Sequence, residues 1–382
     1  MGDVLVVAGP GVVPDAGLLA EVAAREFTAL GVRGALVHAR DAAHLLSLAR
    51  GGAVVIPGPS PEVRELIGQP IGPVVWVDVE RADDVAAGEG ATHLHGRGIS
   101  GLAWGIRHAV HRMRHPSRRI AYGASRDQWG DLYVPGGARN APVVVLIHGG
   151  YWRSIWAADL MEALCADLTG RGFAVWNLEY RRPDLHGWQS TTADVAAGLA
   201  ALDTVNMPAA DAHPDVDLGG GAVAGSPALD LGRVAVVGHS AGAQLALRAV
   251  ADGVRVALAV SLAGVLDLVE GDRRWLSSGA VAAALGHPST EAAARRGAEE
   301  PAHVYRVSSP LLRLPLNAPQ LIVQGTDDDL DLIDFSRRYA RAAQHAGDEV
   351  TYLEMSGDHF AVITPSTPIW QATAEAITTA LA

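Results

Sequence analysis

Arg233-Val234-Ala235-Val236-Val237-Gly238-His239-Ser240-Ala241-Gly242-Ala243-Gln244-Leu245-Ala246-Leu247 is the stretch on which the reading of this chain turns. Its opening is a short Val/Ala run without polar alternation, as expected of a strand buried on both faces. The residues that follow the second glycine are helix formers, so a helix is expected over Ser240–Ala251. Between strand and helix lies Gly238-His239-Ser240-Ala241-Gly242, the G-x-S-x-G pattern of a serine on a sharp strand-to-helix turn. Such a turn strains the serine backbone, and glycines on both sides let neighbouring backbone pass without a Cβ clash. The hydroxyl then points away from the sheet, at a helix N-terminus whose amides favour a developing anion. By pattern alone the motif is weak, and a plain N-cap serine is the alternative. The flanking strand and helix decide for a nucleophile at Ser240.

A hydroxyl is a poor nucleophile at neutral pH, so a histidine must take its proton and a carboxylate must hold that histidine. In the chain order of α/β-hydrolases, which this serine turn resembles, the acid follows the serine and the histidine comes last. Four histidines follow Ser240: His287, His303, His345 and His359. His345 falls inside an expected helix over Asp334–Ala346, and His287 and His303 precede the last-but-one strand. Only His359, in Gly357-Asp358-His359-Phe360, falls in a loop after the final strand, so it is the expected base. The strand Gln320–Gln324 runs into Gly325-Thr326-Asp327-Asp328-Asp329. Three residues beyond the glycine stands Asp328, the expected acid, with Asp327 as the alternative.

Upstream, His148-Gly149-Gly150-Tyr151-Trp152 follows the apolar strand Val143–Ile147. A double glycine lets backbone amides approach a substrate carbonyl closely, so the amides of Gly150, Tyr151 and Ala241 are the expected oxyanion hole. Trp152 and Trp156 follow directly and are expected to line a substrate pocket; core packing is the alternative. Short β bursts alternate with helical runs along the whole chain, which predicts parallel sheets covered by helices, an α/β class. Before residue 116 the expected strands are Val4–Ala8, Gly34–His38, Ala53–Pro57 and Pro73–Val79. After it an expected hairpin, Ile120–Gly123 with Asp131–Val134, precedes parallel βα units, the order of an α/β-hydrolase fold.

The basic stretch His108 to Arg119 reads as a linker, giving expected domains over 1–115 and 117–382. Pro208 to Gly232, rich in Ala, Gly, Pro and Asp, reads as a surface insertion. The length of 382 residues suits two domains, and 49% hydrophobic against 19% charged residues suits a buried core. A formal net charge of -12 argues against nucleic acid or anionic membrane as partners, leaving a small-molecule substrate. Cys165 is the sole cysteine, which excludes an intramolecular disulfide. The start of the chain has no basic segment ahead of its apolar run, so a cytoplasmic location is expected. His93, His95, His108, His111 and His115 invite a metal, yet no cysteine or acidic ligand completes a familiar spacing. No metal and no cofactor are expected.

Three segments together, His148–Trp152, Gly238–Leu245 and Asp358-His359-Phe360, resemble the kynurenine formamidase (arylformamidase) branch of the esterase/lipase hydrolases. Asn177-Leu178-Glu179-Tyr180-Arg181-Arg182 resembles the same branch. The resemblance implies hydrolysis of an aryl formamide, a small ester or a related amide through an acyl-enzyme. An esterase with an unrelated acyl group and a non-catalytic scaffold are the alternatives. The first domain resembles type II 3-dehydroquinate dehydratase at Leu5-Val6-Val7-Ala8-Gly9-Pro10, at Ile56-Pro57-Gly58 and over Gly96–Met113. That implies a flavodoxin-like fold and a homo-oligomer formed through the N-terminal domain. Two departures imply lost dehydratase chemistry: no tyrosine occurs before Tyr122, and Val77-Asp78-Val79 stands in place of the segment with the catalytic histidine.

Overall fold

The computed structural model describes residues 4–49, 52–137, 139–205, 229–289 and 299–382. Its contacts divide the chain into two compact units, Met1–Pro116 and Ser117–Ala382.

The first unit holds five strands: β1 (Val4–Ala8), β2 (Gly34–His38), β3 (Val54–Ile56), β4 (Val75–Asp78) and β5 (Thr92–His95). All pair in parallel, in the order β2-β1-β3-β4-β5. This is the doubly wound order in which the chain steps outward from β1 and then crosses back over it. Successive residues serve opposite faces. Val4, Val6 and Ile56 pack with the helices Ala16–Leu30 and Ser100–Arg114, while Val7, Val55 and Trp76 pack with Leu45 and Ile67. Two covered faces are why these strands read as unbroken apolar bursts. β5 was not expected. It is an edge strand whose alternating Thr92-His93-Leu94-His95 buries only Leu94 in the core. Its His93 Nε2 lies 2.8 Å from Asp78 Oδ2, and Arg64 grips both oxygens of that same carboxylate at 2.9 Å.

The second unit is built on eight strands: β6 (Arg118–Ala121), β7 (Trp129–Tyr133), β8 (Ala141–Ile147), β9 (Ala174–Leu178), β10 (Leu229–His239), β11 (Leu258–Leu262), β12 (Gln320–Gly325) and β13 (Val350–Met355). Their order is β13-β12-β11-β10-β8-β9-β7-β6. β6 and β7 form an antiparallel hairpin, β7 runs antiparallel to β9, and the remaining pairs are parallel. β10 lies mid-sheet between β8 and β11, so the loops leaving the C-terminal ends of β8, β10, β12 and β13 emerge on one edge. In open α/β sheets that edge is where ligands bind.

Several boundaries differ from expectation. Residues 208–228 of the expected insertion lie outside the described residues, and its last four belong to β10, which pairs with β8 on either side of a register shift between Asp230 and Val234. A single helix over Ile155–Arg171 is replaced by a turn, a 3-10 segment Ala158–Met161 and a helix Glu162–Gly170. The helix Pro368–Ala380 was not anticipated; Thr367 caps it and Pro368 fixes its first turn. Among the described residues no helix is long and apolar enough to cross a membrane.

Candidate active site

The elbow is set by glycines that cannot carry a side chain. A Cβ on Gly238 would sit 2.2 Å from the Gly242 carbonyl oxygen, and one on Gly242 would sit 2.1 Å from that of Ile147. Between them Ser240 adopts φ 55°, ψ -117°, a conformation costing on the order of 1–3 kcal/mol that survives only where its surroundings insist on it. Here they do: the Ser240 N–H donates to the Leu262 carbonyl at 2.8 Å, and its own carbonyl accepts from Ala243 and Val265. The hydroxyl is buried and makes no hydrogen bond among the described residues.

The loop after β8 abuts this elbow. A Cβ on Gly149 would lie 2.9 Å from Ser240 Cβ and 2.7 Å from the His239 carbonyl oxygen, so only glycine permits the approach. Gly150 at φ 109° is followed by Tyr151 at 51° and Trp152 at 57°, two left-handed residues that carry side chains. The N–H groups of Gly150, Tyr151 and Ala241 donate to no backbone acceptor among the described residues. Unspent donors beside a strained serine are what an oxyanion hole requires.

On the other side, the loop after β13 carries His359. Its Nδ1 lies 3.0 Å from Asp328 Oδ2, which also accepts from Gln324 Nε2 at 2.9 Å, while Oδ1 accepts the Asp329 N–H at 2.7 Å. Burial would push the Asp328 carboxyl up, but the hydrogen bond from His359 and these further donors outweigh it, and the group stays below the usual carboxylate range. A carboxylate at Nδ1 fixes the tautomer that leaves Nε2 bare as a base. Asp327 is occupied elsewhere: its Oδ2 accepts from Ser356 Oγ and the Gly357 N–H, bracing the turn that carries His359. Phe360 packs edge-on against the His359 ring at 5.5 Å and remains 41% exposed.

One of the two tryptophans departs from expectation. Trp152 is 1% exposed, stacks edge-on with Trp188 at 5.9 Å and donates its indole N–H to Gln244. It is a core side chain, not a pocket wall, because the left-handed turn at Tyr151 and Trp152 swings the ring inward. Trp156 is half-buried and lies over Gly150, whose absent Cβ would meet the Trp156 Cβ at 2.3 Å and the indole Cγ at 2.4 Å. Tyr151 is half-buried too; burial and the carboxylates of Asp329 and Asp328 raise its hydroxyl to about 12.

Two groups at the site escaped the sequence reading. His239, the variable residue of the elbow motif, donates from Nε2 to the His359 carbonyl at 3.0 Å. Burial, then the neighbouring His359, lowers it to about 3, so it is neutral. Beneath the double glycine lies a buried polar cluster. His148 Nε2 meets Glu179 Oε1 at 3.2 Å, Glu179 Oε2 accepts the Ala158 N–H, and Arg182 grips Glu179. Burial alone would raise the Glu179 carboxyl; the charges of Arg182 and His148 overcome it and hold it at about 2. Glu179 and Tyr180 sit just past β9, and only the resemblance of that segment pointed to them.

A search of the curated proteins finds no match. Among solved structures, the chain is similar to a bifunctional GH43-CE protein of Bacteroides eggerthii (16% identity, TM-score 0.55), over 70% of this chain and 35% of that one. Esterase B from Lactobacillus rhamnosis matches at 20% identity and TM-score 0.52, over 69% of this chain and 84% of that one. Carboxyl esterase 2 from the fungus Tuber melanosporum matches at 16% identity and TM-score 0.52, over 70% and 88%. At such identities the likeness is one of fold. The profile of a family described by its alpha/beta hydrolase fold matches residues 144–363, more than half of the chain and all of the loops just described. The chain belongs to the α/β-hydrolase fold family.

Proposed function

We propose that the second unit is a serine hydrolase that cleaves a small ester or an aryl formamide through an acyl-enzyme. Ser240 is the nucleophile, His359 the general base and Asp328 the acid that orients it. As Ser240 attacks the carbonyl, His359 Nε2 takes its proton and the N–H groups of Gly150, Tyr151 and Ala241 receive the oxyanion. The imidazolium then protonates the leaving group, and water, activated by the same histidine, releases the acyl group. The observation that carries this reading is the conjunction at one sheet edge of a left-handed serine, a carboxylate-bound histidine and three unspent backbone donors. Trp156 beside Gly150 and Phe360 beside His359 supply aromatic walls for an aryl substrate.

Hydrolysis of N-formylkynurenine and of a p-nitrophenyl acyl series tests it. A formyl-accepting pocket is tight on the acyl side, so rates are expected to drop steeply from formyl to butyryl. A flat or rising series with no formamide turnover would leave the triad standing and assign a carboxylesterase instead. The first unit we read as a flavodoxin-like relative of type II dehydratases that has lost their chemistry. Its strand order supports the flavodoxin-like part of that reading, and turnover of dehydroquinate would overturn the loss of chemistry.

A further inference from the structure

The double glycine that makes room for an oxyanion also removes what would hold the loop in one conformation. A peptide between two glycines turns over easily, and a turned Gly149–Gly150 peptide would present a carbonyl where an N–H is needed. We infer that His148 is a positioning residue whose ring, clamped by Glu179, locks that peptide with the Gly150 N–H facing the oxyanion site. The inference rests on the hydrolase reading above and adds to it the device that keeps the hole formed.

His148 Nδ1 lies 2.8 Å from the Gly149 carbonyl oxygen. The Tyr180 hydroxyl donates to the His148 carbonyl at 2.8 Å, and the Arg153 N–H donates to the Gly150 carbonyl at 3.0 Å. Three consecutive peptides are thus pinned by their oxygens. A trans planar peptide directs its N–H opposite to its C=O, so the pins also fix the N–H groups of Gly149, Gly150 and Tyr151. One outer pin is a backbone N–H, and the other is the hydroxyl of a fully buried tyrosine. The middle one depends on the orientation of an imidazole. That ring is fully buried and stacks on Tyr180 at 4.4 Å. Both its nitrogens face oxygens that only accept, the Gly149 carbonyl and the Glu179 carboxylate, so the ring donates from both. Glu179 is itself fixed by the Ala158 and Tyr180 N–H groups and by Arg182.

The test separates the two donations. In His148→Asn the amide nitrogen takes the Nδ1 position and keeps the bond to Gly149 while giving up Glu179. In His148→Gln it takes the Nε2 position and keeps Glu179 while giving up Gly149. A merely structural role would make the two variants alike. With p-nitrophenyl acetate, His148→Gln is expected to lose roughly 100-fold in kcat with little change in KM, and inhibition by phenylboronic acid, a tetrahedral mimic, to weaken in parallel. His148→Asn is expected to stay within about tenfold of wild type. Equal losses, or unchanged boronate inhibition in His148→Gln, would overturn the lock. A second measurement needs no variant: nitrogen-15 spectra of the wild type are expected to show two slowly exchanging ring N–H groups for His148, and a single one overturns the inference. If Ser240→Ala hydrolysed as fast as wild type, the hydrolase reading would fail while the ring N–H count stood; one ring N–H with Ser240-dependent hydrolysis would sink the lock alone.

Discussion

Each unit of this chain places a carboxylate against a histidine where parallel strands end, yet the two arrangements have opposite character. In the first unit Asp78 is held by the two terminal nitrogens of Arg64 and by His93, and no neighbouring backbone is strained beyond what glycine accommodates. In the second, Asp328 holds His359 next to a serine in a left-handed conformation and to backbone donors that bond nothing among the described residues. A carboxylate–histidine pair is therefore a common way to satisfy a buried polar group. What marks a reactive site is unfinished business around it: strain at Ser240 and donors left open.

The sharpest way to break the contrast is Ser240→Ala, which is expected to lower kcat about 10⁶-fold, read by ester hydrolysis. Asp328→Asn comes next, with an expected loss of about 10⁴-fold, since the amide can hold His359 in the wrong tautomer. Asp327→Asn should lose far less rate and show chiefly as a lower melting temperature, because Asp327 braces the loop rather than the ring. Gly149→Ala is expected to cost about 100-fold or more in kcat, since the added methyl pushes the loop off Ser240 and His239.

The smallest effect on hydrolysis is expected in the first unit. Burial would raise the Asp78 carboxyl, but His93 and Arg64 hold it at about 2, against an ordinary 3.8. A depressed folded value means that this stabilisation is complete above the unfolded value and drains away as pH falls toward 2. Asp78→Asn should flatten that acid loss of stability, followed by hydrogen exchange of the β1 to β4 amides in the full chain, and leave hydrolysis unchanged. A loss of hydrolysis in Asp78→Asn would erase the distinction drawn between the two pairs.

Much of the site was legible because its parts are local. The elbow, the double glycine and the final loop each announce themselves within a few residues, at the ends of strands whose apolar runs are unmistakable. Asp328 against Asp327 was narrower: both follow Gly325 within three residues, and only the fold shows which oxygen meets His359. Contacts between distant segments were not legible. His148 and Glu179 are 31 residues apart, and nothing in either segment's periodicity announces a buried pair. Trp152 reads the same from sequence whether it faces a pocket or the core, and the backbone turn at φ 57° decides it. β5 escaped because an edge strand needs only one buried side chain, and Thr92-His93-Leu94-His95 supplies only that.

The central claim is that Ser240 is the group that attacks, and covalent labelling tests it most directly. The full chain treated with a fluorophosphonate probe and digested for mass spectrometry is expected to carry one adduct, on Ser240, absent from Ser240→Ala and strongly slowed in Asp328→Asn. An unlabelled wild type, or a Ser240→Ala chain labelled as fast as wild type, would contradict the account.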